Sequence, residues 1–595
     1  MNTGTGKSRP RPTRLVRFSV EQPETSAWQR DGSGIVMEDH FVVNIVDDKS
    51  DTISDNMLPL STRTPSITVP LGEVGAQQLL RRTPISYLLN QLYGLWVFAS
   101  LFILSLIMTR RVPVSQYGVY AIAATTYNTI AYIVAFGFED ATNTYVPRVL
   151  AEHGQASAAH LIRRMFALRI AILAIALGIM LFALPLVAGI FAAIPLPTFE
   201  GIAQQLRSPA LLGHIAPIAF WVLGNGITSL LIAVYASIMR MRIVFIIGSL
   251  AQLFLLVLSF ITLRLGWGID SVLWLQAIAT LLSAAAFALW QWPLIFTRGA
   301  IYKQPLRPVL RLGISAWVPN LVMGALLKQV SINLLIIFSV SVAQIAFFTL
   351  SFQLADAANQ LLVSGFGGVG IAALAAAFVG KNHQRLARSW QMLIKFETLL
   401  AAPVLIFSLF NSQAIALALY PSEYSIVGQL LGIFLFFNII VRILGSSIHQ
   451  ATLYVLQKPQ LVVLAWLLGL ASLIVFGILL IPHYGPAGAL IADGISKIIT
   501  ASLMLIFIWR DLPEKYPLAF TLRMLLALTI AALPALVWHP VGRTMLVASG
   551  IVFLGLSIAL LTLIKPLSAD DMQRIGEFKP GVVKYLKWFA RGEKQ

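Results

Sequence analysis

Leu106-Ile-Met-Thr-Arg110-Arg111-Val-Pro-Val114-Ser115-Gln116-Tyr117-Gly118-Val-Tyr-Ala121 is the stretch on which the reading turns. It closes one long apolar run, from Pro84 to about Met108, and opens a second that reaches Phe138. Two arginines and a proline are all that separate them. A polar segment ending in Leu150-Ala-Glu-His-Gly154 follows, then a basic re-entry at Arg163-Arg164. About 228 residues later the unit recurs in weaker form. Ala343-Gln344-Ile345-Ala346 stands where Ser115-Gln116-Tyr117-Gly118 stood, and Gly365-Phe366-Gly367 answers Phe136-Gly137-Phe138. Phe378-Val-Gly380-Lys381, with Arg385 and Arg388, answers Gly154 and Arg163-Arg164. An internal repeat in an apolar chain is the mark of many transporter folds.

The whole chain is 58% hydrophobic and 11% charged, against roughly a quarter charged in ordinary globular domains. Fourteen apolar segments of spanning length follow Pro84, near 84–109, 115–138, 161–190, 210–238, 242–264, 270–296, 310–338, 343–379, 386–411, 426–456, 458–481, 486–509, 517–537 and 544–565. The expected fold is an all-α polytopic membrane protein. Two six-helix lobes, 84–298 and 299–510, surround a central cavity, and two helices in 511–565 are added at the end. Residues 1–83 are polar and without period, and are read as a disordered cytoplasmic tail. Residues 566–595 set Lys584, Lys587 and Arg591 among Tyr585, Trp588 and Phe589, which suits an amphipathic helix on the inner headgroups.

Charge orients the spans. With the amino terminus inside, the even loops hold Arg148, Arg163, Arg164, Arg240, Arg242, Arg298, Lys303, Arg307, Arg311, Lys381, Arg385, Arg388, Lys458, Arg510 and Lys515. The odd loops hold Arg110, Arg111, Arg207, Arg264 and Arg543, so the count is fifteen against five and both termini are expected in the cytoplasm. The same rule accounts for the net charge of +18 without nucleic acid, since no basic stripe interleaves with aromatics on a soluble module. Absence of cysteine excludes disulfides and thiolate metal sites. Gly4-Thr5-Gly6-Lys7-Ser8 imitates the end of a phosphate-binding loop but lacks the preceding strand and first glycine. Short loops, no nucleotide motif and no His/Glu metal cluster favour a carrier over an enzyme.

An ionisable side chain inside a bilayer costs at least a few kcal/mol, so each is a functional candidate. Lys328 falls mid-span in the seventh segment with Gln329 beside it, and Arg442 mid-span in the tenth with His449 below. Asp356 is the one obvious deep acid facing these two cations. Lys328, Arg442, Asn90, Gln329 and His449 are therefore the candidate lining of a cavity for an anionic headgroup. A structural pairing of Lys328 with Asp356 is the alternative. Asp493 and Lys497, four apart on one helix face, suit a structural ion pair, and with Asp356 are the candidates for proton or sodium coupling. Glu139, Asp140 and Arg148 are candidates for a cytoplasmic gate. Milder deep polar groups of the first half are Gln91, Asn128, His214, Asn225 and Gln252.

The segment Val114-Ser-Gln-Tyr-Gly-Val-Tyr-Ala121 after Leu-Ile-Met-Thr-Arg110 resembles the opening of Wzx-type polysaccharide flippases. So do Phe136-Gly-Phe-Glu139-Asp140-Ala with Pro147-Arg148, and Lys458-Pro459 followed by Ile481-Pro-His-Tyr-Gly485-Pro-Ala-Gly488-Ala. The resemblance covers roughly 84–510. It implies two lobes facing a cavity, in a superfamily that also holds multidrug/cation antiporters and lipid II flippases. The implied substrate is an oligosaccharide on undecaprenyl pyrophosphate, moved across a bacterial inner membrane by alternating access for surface or exported polysaccharide. No cofactor is implied beyond proton, sodium or membrane-potential coupling. Membrane lipids and a polymerase or export machinery are the implied partners. Members often carry an arginine before the aromatic residue that follows this region; here Thr144-Tyr145 leaves Arg148 or Arg169 as the local cation. The rival readings are a cation or drug antiporter, a lipid II flippase, a membrane glycosyltransferase or polymerase, and a scaffold.

Overall fold

The computed structural model describes residues 71–595 apart from 195–196, 298, 300, 323–326, 339, 364–373, 376, 379–380, 513–514, 541, 569–570, 573–586 and 591–595. Of the expected disordered tail 1–83, residues 1–70 lie outside the described residues, as do the glycines at 365–370 and the side chain of Lys328, while 71–83 are helical and continue into the first span. Ten described stretches are helical, long and apolar enough to cross a membrane, so the chain is a multi-pass membrane protein. Backbone N–H and C=O groups find no water in hydrocarbon, and a helix satisfies them within one segment.

The first half comprises α1 (Leu71–Thr109), α2 (Val114–Ile133), α3 (Phe138–Gly178), α4 (Leu184–Ala192), α5 (Pro197–Leu206), α6 (Pro209–Leu212), α7 (Ile215–Ser237), α8 (Met241–Arg264) and α9 (Gly268–Ile295). The second half continues with α10 (Leu306–Asn320), α11 (Leu327–Ile337), α12 (Val342–Val363), α13 (His383–Phe410), α14 (Ser412–Leu419), α15 (Ile426–Ile443), α16 (Ser446–Val455) and α17 (Pro459–Trp509). Last come α18 (Leu518–Ala532), α19 (Pro534–Trp538) and α20 (Arg543–Ile564). Among the described residues the only β-pairing is one isolated bridge, Leu567 to Ala590. Helices occupy all fourteen segments expected from hydropathy, at least in part.

Two of those segments have a different course from the expected one, and a third break falls where expected. The second does not stop at 138: after a kink at Phe136 and Gly137 the chain runs on as helix to Gly154, where φ +78 folds it back. Arg169 then lies beside Glu139, each fifteen residues from that turn. As expected for the eleventh and twelfth segments, α17 is two crossings folded at Gly485 (φ +54), between Pro482 and Pro486. Ser496 donates to the Gly469 carbonyl across that hairpin at 2.6 Å. The tenth segment is broken at Gly445 (φ +70) into α15 and α16. In each case a glycine supplies the left-handed backbone that a side chain resists.

The halves meet along α2, where Asn333 of α11 donates to Thr129, and most closely at its two ends. At the end away from the basic loops, α2 and α12 pack together, and these helices open with the two copies of the repeat. A Cβ on Gly118 would lie 2.0 Å from the Val342 carbonyl oxygen, so only glycine permits this approach. Around it Tyr117 of α2 meets Tyr424 edge-on, and Tyr420, Phe347, Leu104 and Ile345 complete one apolar core drawn from both halves. Arg110 reaches across to the Leu419 carbonyl. At the basic-loop end the contact is narrower, made by α10 against α3.

The carboxyl-terminal segment, expected as an amphipathic surface helix, folds onto the bundle where it is described. Asp571 is buried and accepts from Lys395 of α13 at 2.6 Å and from the Ser568 amide at 3.0 Å. Burial alone would raise its carboxyl pKa, but the Lys395 ammonium and the Ser568 N–H together hold it below the usual value. Phe589 packs on the core shared by α13, α18 and α20.

Replacing Gly118 by Leu should cost about 1–3 kcal/mol by overpacking. A lower Tm of the purified protein in detergent checks this. Gly178→Leu, where a Cβ meets nothing within 4 Å, should leave Tm nearly unchanged.

Candidate functional site

Helix α2 ends at a place where its last carbonyls need donors, as every helix end does. It has no basic residue of its own in the last turn. Arg169, from the returning arm of α3, supplies them: its Nη1 donates to the carbonyls of Val134 at 2.6 Å and Ala135 at 2.9 Å. A cation at a helix carboxyl end is favoured both by these bonds and by the helix dipole. Its Nε donates to the Gly226 carbonyl at 3.1 Å, and Nη2 lies 3.2 Å from Glu139 Oε1. Ser229 donates to the same Glu139 oxygen at 2.6 Å. With its side chain 2% exposed, Arg169 is a fully engaged brace linking α2, α3 and α7.

The other half of the chain completes the cap. Trp317 of α10 donates its indole N–H to the Tyr132 carbonyl at 2.8 Å and stacks on Phe136, centroids 5.0 Å apart. Asn320 donates to Asp140 Oδ2 at 3.1 Å. Between these two bonds Gly137 and Gly313 touch backbone to backbone: a Cβ on Gly137 would lie 1.9 Å from the Gly313 oxygen. Gly137 also needs its φ of +65, so it is fixed twice over. Phe136, with φ +46, holds a backbone that costs about 1–3 kcal/mol and is stabilised by this packing.

Above the contact lies a cavity of about 410 Å³, walled by α2, α3, α7 and α10. Tyr127, Asn128, Asn225, Glu139, Asp140 and Arg169 give it polar walls. Asn128 and Asn225, minor candidates from sequence, thus share one chamber with the gate candidates Glu139 and Asp140. Since Arg169 is neutralised by Glu139, Asp140 sets the sign of the remaining charge. Arg148, the third gate candidate, instead pairs with Glu152 one turn on, both side chains about half exposed or more (67% and 48%).

The candidate headgroup residues are not gathered in this chamber. Asn90 is exposed on α1, and Gln329 has a buried Oε1 with no partner among the described residues. Arg442 binds Glu397 of α13, whose Oε1 also accepts from Ser447 at 2.7 Å. The balance of two deep cations against one acid is therefore corrected: Glu397, 4% exposed, is a second deep acid. An acid inside an apolar segment of spanning length was the signal available in the sequence. His449 is fully enclosed and accepts the Trp390 indole N–H at 3.1 Å.

Asp493 and Lys497 do pair, at 2.6 Å on one face of α17. The Lys497 ammonium also lies 4.5 Å from the Phe434 ring centroid and 5.4 Å from that of Phe352, a cation–π seat that ties α17 to α12 and α15. Asp356, on α12, is half-buried. Among the described residues no group of three or more His, Asp or Glu side chains could hold a metal ion.

Arg169→Leu should destabilise by about 3–5 kcal/mol, because Glu139 loses its cation and three carbonyls lose a donor. Arg169→Lys should recover little of this, since an ammonium lacks the planar fork. Tm in detergent, compared with Glu139→Gln, reads the difference.

No protein-family model and no curated protein matches the sequence. Solved structures do match in fold. One is a lipid II flippase, MurJ, in an inward closed conformation, at 13% identity and a TM-score of 0.58, covering 79% of this chain and 98% of the other. Another is an inward-facing multidrug resistance MATE family transporter of the MOP superfamily, at 15% identity and a TM-score of 0.52, covering 69% and 94%. The chain has the fold of these MOP superfamily transporters.

Proposed function

We propose that the protein is an alternating-access transporter that flips undecaprenyl-pyrophosphate-linked oligosaccharide across a bacterial inner membrane for surface or exported polysaccharide. One observation carries the transport reading: a polar chamber walled by helices of both halves, which pack closely at either end of α2. A chamber with a closure at each end serves a carrier, because breaking one closure at a time opens it to one side. The narrower closure, by α10, is the easier to break. There Trp317 and Asn320 contribute hydrogen bonds worth about 1 kcal/mol each beside the packing of Val309 on α3, against a larger apolar core at the other end.

The substrate class rests on the resemblance of residues 114–148 and 458–489 to oligosaccharide flippases. Arg442, whose side chain keeps 21% of its surface exposed, is the deep guanidinium available to a pyrophosphate. A second reading is favoured by Asp140. With Arg169 neutralised, the chamber presents a net acid, which suits a cationic substrate of the kind a multidrug antiporter carries.

Purified protein in liposomes separates the two. Translocation of a pyrophosphate-linked oligosaccharide lipid is expected, reduced at least tenfold by Arg442→Ala. Efflux of a cationic dye, lost in Asp140→Asn, with no lipid translocation would establish the second reading instead.

A further inference from the structure

The Glu397 site has features that a structural ion pair does not require. Its Oε1 takes both donors, Arg442 from the last turn of α15 and Ser447 from the first turn of α16. These donors stand on opposite sides of the Gly445 break, so one oxygen fastens the two arms of a broken helix to α13. Its Oε2 is sealed from water and has no donor among the described residues. A carboxylate oxygen buried without a donor is costly, and a proton is the smallest ligand that removes the cost.

Among the described residues Arg442 is the one cation bonded to Glu397. Lys395, two residues away on α13, is held by Asp571. The elements packed on α13 bring Asp356 from α12, Arg523 from α18, Arg543 from α20, and His449 and Tyr454 from α16, with Tyr516 just before α18. His449 is bound to Trp390, and Arg543 donates to the Ala418 carbonyl at the far end.

We propose that Glu397 is a proton-binding site that exchanges with an anionic headgroup for Arg442. When a pyrophosphate takes the guanidinium, the Glu397 carboxylate is left in an apolar surround with only Ser447. It then accepts one proton from water and becomes a neutral acid; on anion release the proton leaves and Arg442 returns. Each anion bound thus brings in one proton, and the α15–α16 break loosens in the bound state. This inference rests on Arg442 contacting the pyrophosphate.

The test is calorimetric titration of the purified full-length protein with farnesyl pyrophosphate at neutral pH. Two buffers of different ionisation enthalpy give the number of protons taken up. Wild type is expected to take up about one proton per ligand more than Glu397→Gln does. Its Kd should rise by up to tenfold per pH unit relative to that of the variant, which is isosteric and keeps a bond to Ser447. Equal uptake by the two proteins overturns the proton site and leaves the headgroup reading intact. Binding unchanged by Arg442→Gln, or absent in wild type, overturns the headgroup contact and the inference with it. If Glu397→Gln fails to fold, wild-type binding with no net proton uptake and a Kd constant across pH still overturns the proposal.

Discussion

A charge taken from water into the interior of a helical bundle costs several kcal/mol unless a partner comes with it, and the bundle is arranged around that constraint. Arg169 goes with Glu139, Arg442 with Glu397, Lys497 with Asp493, and Lys395 with Asp571. Two of these pairs join separate elements and Arg169 with Glu139 joins the two arms of α3, so neutralising the charge also fixes which segments are neighbours. The fourth, Asp493 with Lys497, closes on one helix and uses its cation to hold the rings of two others. Even the carboxyl-terminal segment is held this way, since Lys395 would otherwise be an uncompensated cation among apolar helices.

The same accounting applied to backbone carbonyls explains the gate. Helix α2 breaks off at Val134, and its exposed carbonyls are shared between Arg169 of its own half and Trp317 of the other. The first donor is permanent by virtue of its burial. The second belongs to α10, which meets α2 and α3 through the Gly137–Gly313 approach, the Trp317 and Asn320 bonds and the packing of Val309 on α3. Removing α10 leaves the Tyr132 carbonyl for water, which a chamber open to solvent supplies. In the proposed carrier cycle, opening this end would exchange these bonds and the packing of Val309 for water.

Much of this was legible before any coordinates. Apolar runs located the fourteen segments, because membrane helices must be apolar wherever they face lipid. The repeated openings at Ser115 and Ala343 fall on two helices that touch, which the offset alone suggested as equivalence and not as contact. The foldback at Gly154 was hidden by polarity: residues 138–153 are helical but too polar to read as a span. Glu397 is visible as an acid within the ninth apolar segment, but its pairing with Arg442, forty-five residues away, is a property of the fold. Enclosure of His449 was equally unreadable, since Trp390 is separated from it by fifty-nine residues.

The central claim is that the two ends of the chamber open in turn. The chain contains no cysteine, so pairs can be introduced without background. Cysteines at Asp140 and Asn320, joined by a reducible bis-maleimide in proteoliposomes, would fix the α10 contact shut. Lipid translocation should fall to background on linking and return on reduction. Translocation that continues at the wild-type rate with this end linked would contradict the account.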